Sequence, residues 1–506
     1  MVLRAGGDGG SAAMSANMDA LRNKVAVDVV IDGHYTAKVY TSGSAIIGRA
    51  EIRPLRDVSF HLFEIVLVGT AATRLDFVQQ FPAHSARNFL KLRMPIALRD
   101  LPEDNTFRQG KTYTVPFHFV IPHQLTMGAC THRCSTDAVQ AEHLRLPPTM
   151  GFWEDNDQSP DMSHVKYAIK VRAWSFFPGE GQMKLFEGQH VLKILPARPE
   201  DAPLDITWRD ERYQLTNTKT IRKKLFSAKL GKVTASALQP AAVLLSADAS
   251  RASQSSARIN LDFDPASAEM APPKVHAVSA KLASTTYFSL NPVEDLPNLG
   301  PRANHLSYPS LSYTTTTPLF SKQTSQVSWE KHERRATHLR RDSGYSSPHL
   351  EDDAGDTEGS EGAGQGRRGS LGKASKKKQP TCPFKYTATV EVPFTVPTMN
   401  KKIFLPTFHS CLISRSYVLQ LTLSVGPNNT SIPLLLPLQI GVQDSYDPQL
   451  YGEELPSFET AMAQTEAAQV DADLQPRLLR VPPLELQGGS ELPRYDTFRG
   501  QHVSVV

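Results

Sequence analysis

Apolar residues recur at every second position in run after run of this chain, a spacing that limits its folded parts to half-buried β-strands. Tyr113, Val115, Phe117, Phe119 and Ile121 alternate in this way, as do Val25, Val27, Val29 and Ile31. Val165, Tyr167, Ile169 and Val171 alternate against Lys166, Lys170 and Arg172. Such strands have one dry face and one wet face. The run from Phe60 to Val68 is largely apolar on both faces. Turn-forming residues stand between the runs, as in Ser42-Gly43-Ser44, Arg108-Gln109-Gly110 and Pro178-Gly179-Glu180-Gly181, so the pattern predicts an antiparallel sandwich. Pro116 lacks a ladder donor, which marks its run as an edge strand.

A second set of strands follows the Pro196/Pro199/Pro203 cluster, a composition typical of a linker. Lys232 to Ala237, Ile259-Leu261-Phe263 and Val278-Ala280-Leu282 are its first members, and then the pattern stops. From Asn291 to Pro380 the chain is dominated by Ser, Thr, Gly, Pro and charge. An acidic block (Glu351, Asp352, Asp353, Asp356, Glu358, Glu361) precedes a basic one (Arg367, Arg368, Lys373, Lys376, Lys377, Lys378). Such a segment buries too little apolar surface to offset the entropy of ordering it. Strands return at Tyr386, Ala388, Val390, Val392, at Tyr417 to Val425 and at Ile432 to Val442. Three strands on either side of the insert make an incomplete sheet, so the economical reading is one sandwich interrupted by a loop. The expected organisation is therefore a disordered N-terminus (1–22), a β-sandwich (23–200), a second one (201–292 plus 381–443), a disordered insert (293–380) and a disordered tail (444–506).

Composition narrows the function. The 506 residues contain 37 prolines and are 40% hydrophobic and 21% charged, which suits β-domains with Pro-rich connectors better than a helical enzyme. A formal charge of +4 is too small for a nucleic-acid footprint over the whole chain. No apolar run is long enough to span a bilayer, and Met1 to Ala20 lacks the apolar centre of a signal peptide, so a cytoplasmic location is expected. Four cysteines are too few for a disulfide framework. Cys130, His132, Cys134 and His143 are metal-ligating types, yet Cys-x-His-x-Cys is tighter than the usual Cys-x-x-Cys knuckle and no second ligand pair follows in a familiar register. Ordinary loop residues, with no metal and no cofactor, are the expectation there. Nucleophile-elbow, P-loop, His-Glu-x-x-His and dinucleotide-binding patterns are all missing, so catalysis is not expected.

Several segments resemble the arrestin family, and the fungal arrestin-like trafficking adaptors (alpha-arrestins) in particular. In the first half these are Gly48-Arg49-Ala50-Glu51-Ile52 with Phe63 to Gly69, then Leu101-Pro102, Gly110, Tyr113, Pro116-Phe117-His118-Phe119 and Ile121-Pro122, and Val165 to Val171. In the second they are Lys224 to Val233, Ala257 to Pro265, Pro273-Lys274-Val275 with Tyr287-Phe288, and Leu405 to Tyr417. No single piece is diagnostic, and the weight lies in their order over residues 24 to 443. The resemblance implies two consecutive immunoglobulin-like antiparallel β-sandwiches, the arrestin fold. It also implies an adaptor role in which the body binds a membrane transporter or receptor, while Pro-aromatic motifs engage WW domains of a HECT-type ubiquitin ligase. Cargo would then be ubiquitinated and internalised, with recruitment to the plasma membrane or endosomes and with ubiquitin and anionic lipids as further partners. Two other roles stay open, a signalling scaffold on a receptor tail without ubiquitin, and a retromer-type coat subunit.

Leu492-Pro493-Arg494-Tyr495 satisfies the Leu-Pro-x-Tyr form of the family's docking motif, whereas Leu455-Pro456-Ser457-Phe458 has Phe where Tyr is expected. An extended Pro-containing segment loses little entropy on entering an aromatic-lined groove. Ser343 and Ser370 each follow an arginine pair, a pattern that basophilic kinases favour, and Asp342 to Ser347 has the form of a phosphodegron. Arg222, Lys223 and Lys224, with Lys219, Lys229 and Lys232 nearby, form the strongest basic patch of the folded part. They are candidates to meet acidic lipid, while lysines at a sheet edge also discourage edge-to-edge pairing.

Overall fold

Alternation along the chain is matched by alternation in burial. In the computed structural model, Tyr113–Val120 is buried and exposed at strictly alternate positions, and Ser255–Pro265 begins in the same way. The structure describes residues 25–75, 83–177, 181–224, 228–302, 310–324, 327–334, 382–398 and 401–444. Their regular structure is almost entirely antiparallel strand, and the fold is all-β.

The first sandwich packs a three-stranded sheet, ordered Val25–Ile31, Ala45–Pro54, Tyr113–Val120, on a five-stranded one ordered Val39–Tyr40, Gly181–Ile194, Ser163–Phe177, Leu62–Leu75, Ala83–Arg93. Pro116 thus lies on an edge strand, as its missing N–H requires. Leu62–Leu75 runs between two neighbours, and every residue from Phe63 to Val68 is buried, which explains its lack of alternation. Phe60, Phe107 and Tyr113 fill one end of the core, with ring centroids 4.6 and 4.9 Å apart in succession. Gly188 faces Val27 across the two sheets so closely that a Cβ there would stand 2.5 Å from a Val27 methyl.

In the second sandwich one sheet runs Thr216–Arg222, Lys229–Ala237, Ser255–Pro265, Phe384–Phe394, Glu330–Glu333. The other runs Ser310–Gln323, Val275–Ser289, Ile413–Val425, Phe408–His409, with Thr430–Leu438 also paired to Ile413–Val425. Strands after the long insert therefore pair directly with strands before it, Ser255 with Phe394 and Phe288 with Ile413. Each sandwich also closes through a short parallel pair. Val39–Tyr40 lies beside Lys193–Ile194 in the first, and Val243–Leu245 beside Ile440–Val442 in the second.

The expected insert 293–380 needs correction at its start. Ser310–Gln323 is a strand of the second sandwich, paired with Val275–Ser289 from Ser310 opposite Ser289 to Gln323 opposite Ala277. Glu330–Glu333 pairs with Phe384–Phe394. The physical reason lies in Thr314 to Thr317, since β-branched side chains suit a pleated surface even where composition reads as a polar connector. Residues 303–309, 325–326 and 335–380 of that insert, residues 1–22 and all but Asp444 of the tail lie outside the described residues.

Candidate functional site

Where the two sandwiches meet, the first contributes one short helix, Asp137–His143, preceded by an irregular stretch from Cys130. Thr136 caps the helix by accepting the Val139 N–H at 3.3 Å, satisfying an amide that would otherwise lack a partner. His143 ends the helix, only 2% exposed. Cys130, His132 and Cys134 occupy alternate positions of the stretch in front, and the four ligand atoms lie within 4.8 Å of one another.

The distances are specific. Cys130 Sγ lies 3.7 Å from Cys134 Sγ, 3.4 Å from His132 Nε2 and 3.7 Å from His143 Nδ1. Cys134 Sγ lies 3.6 Å from His143 Nδ1. His132 Nδ1 donates to the Arg133 carbonyl at 2.8 Å, which leaves the Nε2 lone pair facing the sulfurs. His143 Nε2 is buried without a hydrogen-bond partner. Burial pushes the Cys134 thiol up to about 11 and raises Cys130 as well. Burial, with His132 and Arg87 adding to it, brings His143 down to about 4. The cluster thus presents protonated thiols and, at His143, a neutral imidazole at neutral pH. A cation placed among them would favour the thiolates.

The spacing argument against a shared site is therefore corrected, because the four side chains converge. A helical turn supplies the fourth ligand nine residues beyond Cys134, a register that no Cys-x-x-Cys template anticipates. The signal that could have found it is Thr136 ahead of Asp137, a helix start that brings His143 back toward the cysteines.

The same seam holds buried charge that sequence reading missed. Arg415 is fully buried on the second sandwich, donating to Thr286 Oγ1 (2.9 Å) and, across the seam, to the Asp157 carbonyl (3.1 Å) and Ser159 Oγ (3.2 Å). Arg198 pairs with Glu142 of the helix, and Arg145 reaches Asp201 at 2.8 Å. Gln158 Oε1 accepts from Ser284 (3.1 Å) and Thr315 (3.0 Å) of the second sandwich. An arginine flanked by Ser414 and Ser416, just ahead of the apolar alternation from Tyr417 to Val425, was the available clue.

Of the residues singled out from sequence, Arg222 ends the Thr216–Arg222 edge strand, half-buried, and Lys223 and Lys224 follow it exposed. Lys219, Lys229 and Lys232 are exposed on the same edge and its neighbour, where Thr220 faces Lys232 and Arg222 faces Lys229. Ser343, Ser370, Leu455, Pro456, Ser457, Phe458, Leu492, Pro493, Arg494 and Tyr495 lie outside the described residues. Among the described residues no helix is long and apolar enough to cross a membrane. Compared with protein-family models and with curated proteins, the chain matches none.

Proposed function

We propose that this chain is an arrestin-like adaptor without catalysis of its own. Its two sandwiches engage a membrane transporter or receptor, and the stretch that follows them presents Leu492-Pro493-Arg494-Tyr495 to a WW domain of a HECT-type ubiquitin ligase. The observation that carries the reading is the order of parts, two consecutive antiparallel sandwiches and then a complete Leu-Pro-x-Tyr motif. The exposed lysines at the Thr216–Arg222 edge suit contact with anionic headgroups beside such a cargo.

Proline stacks in the aromatic groove of a WW domain, and the tyrosine enters a second pocket where its hydroxyl finds a partner. Phe458 lacks that hydroxyl, which leaves a polar group of the pocket unpaired at a cost of about 1–3 kcal/mol. Binding of the full chain to isolated WW domains should therefore fall sharply on Tyr495→Ala. Phe458→Tyr should strengthen the second motif roughly 5- to 150-fold, the affinity equivalent of that cost. Titration of WW domains by fluorescence anisotropy reads both effects. Tyr495→Ala binding as tightly as the parent chain would sink the proposal.

A further inference from the structure

We propose that Cys130, His132, Cys134 and His143 bind one zinc ion as a closed structural site, fixing the loop and helix against which the second sandwich packs. This inference stands whether or not the adaptor reading holds.

Geometry carries the argument. A zinc ion about 2.3 Å from each sulfur and about 2.0–2.1 Å from each nitrogen requires tetrahedral edges of about 3.8 Å between sulfurs and about 3.5–3.6 Å between sulfur and nitrogen. The observed separations are 3.7 Å for the sulfur pair and 3.4, 3.7 and 3.6 Å for the sulfur–nitrogen pairs. Thiols are weak hydrogen-bonding groups, so mutual S–H contacts give little reason for two sulfurs and two imidazole nitrogens to gather at one point. Both thiols are free, and 3.7 Å excludes a Cys130–Cys134 disulfide in this arrangement. Two thiolates and two imidazoles in tetrahedral array select zinc over harder cations. His132 already has the outer partner that a ligating histidine needs, the Arg133 carbonyl on Nδ1. With four protein ligands no position remains open for a substrate, which makes the site structural.

Its place in the fold gives the metal a task. The Cys130–His143 segment has little regular structure beyond one short helix, and the second sandwich leans on it. Ser135 N–H donates to the Glu294 carbonyl at 2.9 Å, Cys411 Sγ lies 4.0 Å from the Ala129 carbonyl, and the helix packs against Phe408–His409. Leu405, Phe408, Leu412 and Ile413 of the second sandwich join the core of the first at this point. A crosslink through zinc would hold that surface in one conformation.

Metal analysis of the full chain, produced in zinc-supplemented medium and dialysed without chelator, should find one zinc per chain, and X-ray absorption should find two sulfur and two nitrogen neighbours. Cys134→Ser and His132→Ala should lose the metal, while Cys382→Ser, altering a cysteine outside the cluster, should keep it. Should the ligand variants fail to fold, cobalt(II) added to the metal-stripped parent chain should give the visible absorption of a tetrahedral thiolate site. Chelation should make peptides covering 130–143 and 405–413 exchange hydrogen several-fold faster, with Leu62–Leu75 unchanged. A parent chain that holds no stoichiometric zinc and shows no cobalt–thiolate absorption overturns the proposal. So does zinc retained by Cys134→Ser, or a Cys130–Cys134 disulfide in protein kept reduced.

Discussion

His409 shows at the level of one side chain what the seam asks of its residues. Its ring is 6% exposed, and Nδ1 has no hydrogen-bond partner. Burial, then the charge of Arg198 and the nearby His143, hold it down to about 3. In the unfolded chain a histidine titrates near 6.5. Between those values the unfolded state binds the proton that the folded state refuses, so stability rises with pH. The contribution of the neutral ring is fully present above about 6.5 and is lost as pH falls, by about 2 kcal/mol at pH 5. Urea unfolding of zinc-supplemented protein at pH 7 and pH 5 should show that loss, and His409→Gln should shrink the difference between the two pH values by about the same amount. An unchanged pH dependence in the variant would show that the proton goes elsewhere.

At the level of elements, Ser310–Gln323 is the strand on which sequence and structure part. It forms the edge of its sheet, and its ladder to Val275–Ser289 slips once, between Ala280 and Lys281. Hydrogen exchange on the intact chain should show amides within 310–323 protected, more weakly than those of the central Ile413–Val425 strand because an edge opens first. Exchange at the rate of an unstructured peptide would return the segment to the insert. Strands such as Tyr113 to Ile121 were legible because one face is wet and period-two alternation records that directly, whereas Ala83–Arg93 and Gly181–Ile194 were not read from the sequence. Ser310–Gln323 was not legible, since Ser312 and Thr314 to Thr317 break the apolar alternation with the residues of a connector, and Tyr313 and Pro318 stand exposed among them. The Cys/His cluster was half legible. Its residue types are conspicuous, but their convergence depends on a helix of seven residues, too short to leave a hydrophobic period. Arg415 and Asp157 meet across 258 positions, and nothing in either neighbourhood names the other.

For the whole molecule the question is whether two sandwiches, whose cores meet at Leu405, Phe408, Leu412 and Ile413, behave as one body. The described residues fall in a single compact unit, and its two apolar clusters are bridged by polar contacts buried on both sides. Buried polar groups are costly unless paired, so the seam favours one relative placement of the sandwiches over any that leaves Arg415, Arg198 or Gln158 without its partners. Cooperative unfolding follows. Scanning calorimetry of the parent chain should show one transition whose calorimetric and van't Hoff enthalpies agree. Arg415→Leu keeps an apolar side chain in the space but leaves the Asp157 carbonyl, Ser159 and Thr286 without their donor, a loss of roughly 3 kcal/mol at about 1 kcal/mol each. Because neither sandwich core loses an apolar contact, that loss should fall on the coupling, lowering the midpoint and separating the endotherm into two. A variant that melts in one transition at the parent midpoint would mean that the apolar contacts of Phe408, Leu412 and Ile413 suffice to couple the halves, and that the buried arginine sets their orientation alone.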